Sequence, residues 1–247
     1  LDRVNPELII LGKSMIIYKE PIAEIASMIR EMEKRAILMY DGSHDLGLHG
    51  PRYYIPLKEG ADISDGSTHK TFFGSQRAII ASNMVVSRAA EHLGLEIRTQ
   101  DRYEGLWEEI RHAVFPGLES NYHLGTMAGL LGAATEMLEF GDAYQSAVLR
   151  NAKIFAAALV EQGLNIEGDS DLGYTETHQV LLDVGTDNQG KGRGPEIARR
   201  LRNNGIITNP QAGPYDTSFT DGSLIRMGVQ EMTRFGMGSS GFQTLAG

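Results

Sequence analysis

Two short apolar runs flank an amphipathic stretch near the start of the chain, and this pattern constrains the fold more than any other. Leu8-Ile9-Ile10-Leu11 is an unbroken apolar run ended by Gly12, the pattern of a buried strand. Pro21 then opens a stretch in which Ile22, Ile25, Ala26, Ile29 and Met32 recur at helical spacing. Ala36-Ile37-Leu38-Met39-Tyr40 is a second apolar strand, and Asp41 follows it directly. Strand, helix, strand in this order implies a right-handed parallel crossover. Ligands of such sheets gather at the carboxyl ends of the strands, so Asp41 is expected where chemistry is done.

The rest of the chain extends the alternation. Ala61-Asp62-Ile63-Ser64 is a shorter strand candidate leading to Lys70, and Ala78-Ile79-Ile80-Ala81 is another. Residues 124–140 carry a Gly/Ala-rich helix pattern and 143–162 a longer amphipathic one, close enough to form a spine between two domains. A strand at 179–184, a helix at 195–203 and strands at 206–208 and 223–227 suggest a small α/β domain. The expected fold class is α/β: a doubly wound, mostly parallel-sheet domain over residues 1–137, and a small α/β domain over 138–247. With 41% hydrophobic and 22% charged residues the chain has the balance of a soluble globular protein. No apolar run approaches the ~18–20 residues of a membrane span. The net charge of −9 argues against a binder of nucleic-acid phosphates. With no cysteine there is neither disulfide nor thiolate chemistry, and a cytoplasmic enzyme is the default.

Three residues carry candidate chemistry. Lys70 lies within Ser67-Thr68-His69-Lys70-Thr71, with Gly74 and Arg77 close behind, and Arg226 lies in Ile225-Arg226-Met227-Gly228. An acid ending one strand, a lysine after the next and a late arginine are the parts of a pyridoxal phosphate enzyme. The lysine holds the aldehyde as a Schiff base, the acid keeps the pyridine nitrogen protonated, and the arginine clamps a substrate carboxylate. Each residue also has a plainer reading. Lys70 could be a solvated loop lysine, Asp41 the cap of a turn, His44 a turn histidine instead of a group stacked over the ring, and Arg226 half of a structural ion pair. Asp41, His44, Asp45, His49 and His69 offer metal-binding atoms, but their spacing matches no compact zinc motif, and no metal is expected. Gly190-Lys191-Gly192-Arg193-Gly194 lacks the spacing of a phosphate-binding loop and is read as a solvated turn.

Several stretches resemble the serine hydroxymethyltransferase family. They are Gly12-Lys13-Ser14, Asp41-Gly42-Ser43-His44-Asp45-Leu46-Gly47-Leu48, Ser67-Thr68-His69-Lys70-Thr71-Phe72-Phe73-Gly74-Ser75-Gln76-Arg77 and Ile225-Arg226-Met227-Gly228. Ala113-Val114-Phe115-Pro116-Gly117, Thr177-His178, Leu182-Asp183-Val184 and Thr233-Arg234 extend the likeness collinearly. The resemblance implies a fold-type I pyridoxal phosphate transferase, dimeric or tetrameric, with active sites at subunit interfaces. It implies Lys70 as the Schiff-base lysine, Asp41 as pyridinium partner and His44 as the stacking histidine. Ser14 and Thr68 would be cofactor contacts, His69 a catalytic neighbour of the lysine, Arg77 a structural or electrostatic arginine, and Arg226 the substrate carboxylate site.

The departures carry information too. Where the family has Gln-Gly-Gly-Pro, whose glycines help to hold the cofactor phosphate, this chain has Glu119-Ser120-Asn121-Tyr122. Ser120 and Asn121 could still donate hydrogen bonds there, but the close backbone approach of glycine is lost. The family's Asn-Lys-Asn stretch near the folate site aligns with Asn209-Pro210-Gln211. On the resemblance Leu1 falls inside the large domain, so the family's N-terminal part, with its tyrosines, a catalytic glutamate and much of the phosphate cup, is expected to lie outside this chain. The implied reaction makes or breaks the Cα–Cβ bond of a β-hydroxy amino acid, interconverting serine and glycine, with an aldehyde or one-carbon acceptor. The altered segments count against tetrahydrofolate as that acceptor. They leave two alternatives: a folate-independent threonine or β-hydroxy-amino-acid transaldolase or aldolase, and a catalytically silent binding subunit.

Overall fold

The computed structural model describes residues 4–32, 36–83, 105–121 and 123–247. The chain divides into two compact units, one of residues 1–13 and 20–138, the other of residues 14–19 and 139–247.

The first unit is built on a four-stranded sheet, β1 (Leu8–Leu11), β2 (Ile37–Asp41), β3 (Ile63–His69) and β4 (Phe73–Ser82), paired in that order. β1 and β2 are parallel with Leu8 opposite Ile37, and the helix Ile22–Arg30 makes the crossover between them. Its buried residues Ile22, Ala26 and Ile29 recur at i, i+4 and i+7, the apolar stripe that drives a short helix onto a sheet. Leu38 and Tyr40 are buried on one face of β2. β3 joins β2 in parallel, so the first three strands form the expected parallel arrangement. The fourth differs: β4 pairs antiparallel with β3, because only a tight turn separates them, too short for a crossover. β3 also starts later and runs longer than the apolar segment Ala61-Asp62-Ile63-Ser64 alone suggests, since pairing with β4 carries its polar half beyond the last pair with β2 at Asp65.

The helix patterns at 124–140 and 143–162 merge into one helix of 38 residues, Leu124–Glu161. No proline interrupts it, and a lone glycine such as Gly141 weakens a helix by only about 1 kcal/mol. The division between the two units falls within this helix, after Leu138. Among the described residues no helix is long and apolar enough to cross a membrane.

The second unit holds an antiparallel sheet ordered β5 (Asn165–Ile166), β6 (Gln179–Asp183), β8 (Leu224–Gly228) and β7 (Asn209–Gln211). β7 lies three residues beyond the apolar segment expected to form that strand, and pairs through Pro210 opposite Ile225. The short segment Ser14–Lys19 belongs to this unit. Ile16 N donates to Gln179 Oε1 at 3.0 Å, and Glu176 N donates to Ile17 O at 2.7 Å. Buried Val180, Leu182, Leu224, Ile225, Val148, Phe155 and Phe242 form its core.

Gly12 is the residue that lets β1 end beside Asp41. It adopts a φ of +124°, and a Cβ there would stand 2.3 Å from the Asp41 carbonyl oxygen. Gly12→Ala therefore should lower stability by about 1–3 kcal/mol, read as a reduced thermal midpoint by circular dichroism.

Candidate active site

The pairing of β2 with β3 sets the geometry of the first unit's chemical residues. Met39 stands opposite Ile63, Tyr40 opposite Ser64 and Asp41 opposite Asp65. Side chains alternate along a strand, so Asp65, Ser67 and His69 share one face of β3, and Ser64, Gly66 and Thr68 share the other. Burial follows the same division: Ser64, Gly66 and Thr68 are buried, while Asp65 and Ser67 are half-buried and His69 is exposed. Asp41, in register with Asp65, belongs to the open face.

Lys70 comes directly after β3. Its Nζ turns back and donates to Ser67 Oγ at 3.3 Å, which brings the amine to the face that carries Asp65 and Asp41. Ser67 lies two residues from Asp65, roughly 6.6 Å of strand rise. Asp41 itself is exposed, and its Oδ1 accepts from Ser43 N at 2.9 Å, so it caps its turn and also faces outward.

The turn after β2 is latched to the loop after β3 by Thr71. The hydroxyl of this buried residue donates to the His44 carbonyl at 2.9 Å and accepts from Gly47 N at 3.0 Å. A side chain at Gly47 would meet the Thr71 carbonyl at 2.2 Å, so the latch requires glycine there. It holds half-buried His44 three residues beyond Asp41. Thr68, an expected cofactor contact, is 1% exposed, and its hydroxyl donates to the Ser75 carbonyl at 2.6 Å. Ser67, not Thr68, is the hydroxyl beside the lysine amine. Arg77 is exposed and donates to the Gln76 carbonyl. Ser120 and Asn121 are exposed, and no hydrogen bond among the described residues ties them to Asp41 or Lys70. Tyr122 lies outside the described residues.

Two acids on this unit have unlike surroundings. Asp45, 1% exposed, accepts from Tyr40 Oη at 2.6 Å and Tyr54 Oη at 3.2 Å, and pairs with His49 Nε2 at 3.2 Å. Burial first, then the Asp45 charge, holds the Tyr40 and Tyr54 hydroxyls protonated well above the usual phenol range. This cluster engages Asp45 and His49 with each other and with tyrosines. Among the described residues no group of three or more acids and histidines could hold a metal ion. Asp65 is the opposite case. Its Oδ1 is shut off from solvent and has no hydrogen-bond partner among the described residues. Burial, and next the charge of Asp41, push its carboxyl up to about 6 against the pull of its own backbone N–H. An unsatisfied buried acceptor costs about 1–3 kcal/mol.

In the second unit, Arg226 lies mid-strand in β8, between Leu181 on β6 and Asn209 on β7. Its Nη1 donates to the Ser14 carbonyl at 2.9 Å, and that carbonyl also accepts from Gln179 Nε2 at 3.0 Å. Ser14 therefore meets Arg226 through its backbone. Among the described residues no carboxylate pairs with this arginine, so the structural ion pair that its strand position could suggest is absent. Burial lowers the pKa of the guanidinium, which leaves it a desolvated cation with donors to spare.

These residues fit pyridoxal phosphate. The first unit offers a carboxylate for a ring nitrogen, a primary amine for an aldehyde, and, in Asp65 Oδ1, a buried negative end with no cation of its own. Asp65 escaped the sequence reading because its importance comes from register, and Ser67 and Thr71, marked there only as hydroxyls of the Lys70 motif, take their separate places from the fold. Only the alternation of small and polar residues over 63–69 hints at it.

Comparison with known proteins gives the family. The family model for serine hydroxymethyltransferase matches residues 2–247. The serine hydroxymethyltransferase of Archaeoglobus fulgidus is 44% identical over 248 residues, spanning 99% of this chain and 50% of its own length. That of Thermococcus kodakarensis is 40% identical, spanning 96% of this chain and 51% of its own. The chain therefore spans about half the length of the curated relatives it matches. Among solved structures, L-threonine transaldolase from Pseudomonas fluorescens in its internal aldimine state superposes with a TM-score of 0.76 at 33% identity, over 97% of this chain and 49% of that one.

The latch gives a direct expectation. Thr71→Val leaves Gly47 N and the His44 carbonyl without their partner and should destabilise the chain by about 1–3 kcal/mol in denaturant unfolding. Ser67→Ala, on the open face, should change stability by no more than about 0.5 kcal/mol.

Proposed function

The chain belongs to the serine hydroxymethyltransferase family, and from that premise we propose that its protein interconverts serine and glycine, with pyridoxal phosphate on the Asp41–Lys70 face of the first unit. The observation that carries the reading is the Lys70 amine, turned back to Ser67 on the face where β2 presents Asp41. We assign the first unit to the cofactor-binding domain and the second to the small domain.

When bound, pyridoxal phosphate supplies the electron sink that lets a bond at Cα break heterolytically. The chain's own residues do the rest. Lys70 presents its amine to the aldehyde, and Ser67 holds that amine on the open face. Asp41 would lie against the ring nitrogen and would favour its protonated form. His44, on the turn that Thr71 latches, is assigned to the ring face. Arg226 binds the substrate carboxylate through N–H groups that have no partner among the described residues, and so fixes which bond at Cα stands ready to break. Removal of the proton from the β-hydroxyl releases Cβ as an aldehyde and leaves the bonding electrons on Cα. Return of a proton to Cα gives glycine. His69, next to the lysine in sequence, and His44, on the latched turn after β2, are the histidines assigned to these proton movements.

A second reading has an observation of its own. The transaldolase likeness, together with Glu119-Ser120-Asn121 in place of a glycine segment, favours an enzyme that exchanges aldehydes on threonine or another β-hydroxy amino acid without folate. The intact Lys70, Asp41 and Arg226 count against a silent binding subunit. A dimer or tetramer is part of the proposal: Leu118, Leu124, Leu131 and Leu138 are exposed apolar residues of the kind an assembly covers. So is a cytoplasmic location, where the water-soluble amino acid and acceptor would be found.

Serine cleavage in the presence of pyridoxal phosphate, with and without tetrahydrofolate, tests the reading. Glycine formation that needs tetrahydrofolate supports the hydroxymethyltransferase. Glycine and acetaldehyde from threonine, indifferent to folate, support the transaldolase reading, and no glycine from either amino acid would overturn both. Arg226→Ala should raise KM for the amino acid at least about 30-fold, the weight of a desolvated charge pair.

A further inference from the structure

The register that places Asp41 also places a second acid beside it. Asp65 stands opposite Asp41 on the adjacent parallel strand, and Gly42 N donates to the Asp65 carbonyl at 2.9 Å, so the two residues are locked side by side. The groups around Asp65 do not neutralise it. Its partner on β4 is Ile80, which carries no charge, and the charge that acts on it from β2 is Asp41 itself. The His49 ring lies against Gly42, but pairs with Asp45. Among the described residues no cation forms an ion pair with Asp65, and its Oδ1 is buried without a donor. A carboxylate kept for packing would be neutralised or fully hydrogen-bonded. This one has no cation among the described residues and leaves Oδ1 without a donor, with the pull of its own backbone N–H outweighed, and it sits in the row of the sheet where a cationic ring nitrogen is expected.

We infer that Asp65 is a positioning residue of the ring-nitrogen subsite, an acid that acts through Asp41 to hold a positively charged heteroaromatic nitrogen in its protonated form. The inference rests on the proposed pyridoxal phosphate site and names a residue within it. Without a ring, two like charges face each other across β2 and β3, and a bound cation relieves that repulsion. Asp65 should therefore be unfavourable for the stability of the ligand-free chain and favourable for ring binding. A structural residue would be favourable for both.

The sign with pH follows from its surroundings. A carboxyl raised to about 6 in the folded chain stabilises the fold while protonated, below the unfolded value near 3.9, and that stability is lost as pH rises through about 6. Asp65→Asn should flatten the stability profile between about pH 4 and 7 and raise the thermal midpoint of the ligand-free chain at pH 7.5.

Two ligands and one variant test the inference in the full-length protein. Equilibrium binding is measured for pyridoxal phosphate and for its 1-deaza analogue, in which carbon replaces the ring nitrogen. Asp65→Asn should weaken pyridoxal phosphate about five-fold, the effect of one charge acting across about 8 Å at an intermediate dielectric. It should leave the deaza analogue unchanged, because that ring has no nitrogen to protonate. Equal loss of both ligands, or a lower thermal midpoint at pH 7.5, would make Asp65 structural and overturn the inference. Unchanged binding of both would also overturn it. If the unsubstituted full-length protein binds neither ligand, the cofactor reading itself falls and the inference with it, an outcome distinct from the others.

Discussion

The parallel, in-register pairing of β2 with β3 is the constraint on which the first unit's chemistry depends. It turns residues far apart in sequence, Asp41 and the segment from Asp65 to Lys70, into neighbours on one sheet face. Two devices keep it in place. Gly12 lets β1 end hard against the Asp41 carbonyl, and Thr71 ties the turn carrying His44 to the loop that follows Lys70. A slip of one residue in this pairing would send Asp65 and Ser67 into the core and Thr68 outward. The buried Thr68 hydroxyl, satisfied by Ser75, opposes that slip, because turned outward it would give up its protected partner.

The second unit applies the same logic to a cation. Arg226 lies mid-strand, where a charge is normally paired, yet its partner is the backbone carbonyl of Ser14. Gln179 shares that carbonyl and also accepts from Ile16, so the Ser14–Lys19 segment and β6 together aim the guanidinium. A desolvated arginine held by a neutral acceptor keeps its charge for a ligand. A carboxylate neighbour would have consumed it.

Much of this was legible in the sequence. The strands bearing Leu8 and Tyr40, the helix between them and Asp41 at a strand's end follow from apolar periodicity, which local sequence encodes directly. Lys70 stood out by the hydroxyls and imidazole around it, and Arg226 because a charge within an apolar strand needs a partner. What was hidden depends on pairing. The antiparallel turn into β4, the fusion of two helix patterns into Leu124–Glu161 and the place of β7 were decided by neighbours that no window of sequence contains. The same holds for Asp65, an ordinary polar residue until register sets it beside Asp41. Thr68 shows the converse: the sequence marks it by its place before His69 and Lys70, while the strand's alternation turns it inward.

The central claim is that Lys70 is the amine that meets the aldehyde. Its most direct test is to incubate the chain with pyridoxal phosphate, reduce with borohydride and map the modified peptide by mass. A pyridoxyl group on Lys70, lost in Lys70→Arg, is the predicted result. A label spread over surface lysines such as Lys58 and Lys191, with Lys70 unmodified, would contradict the account.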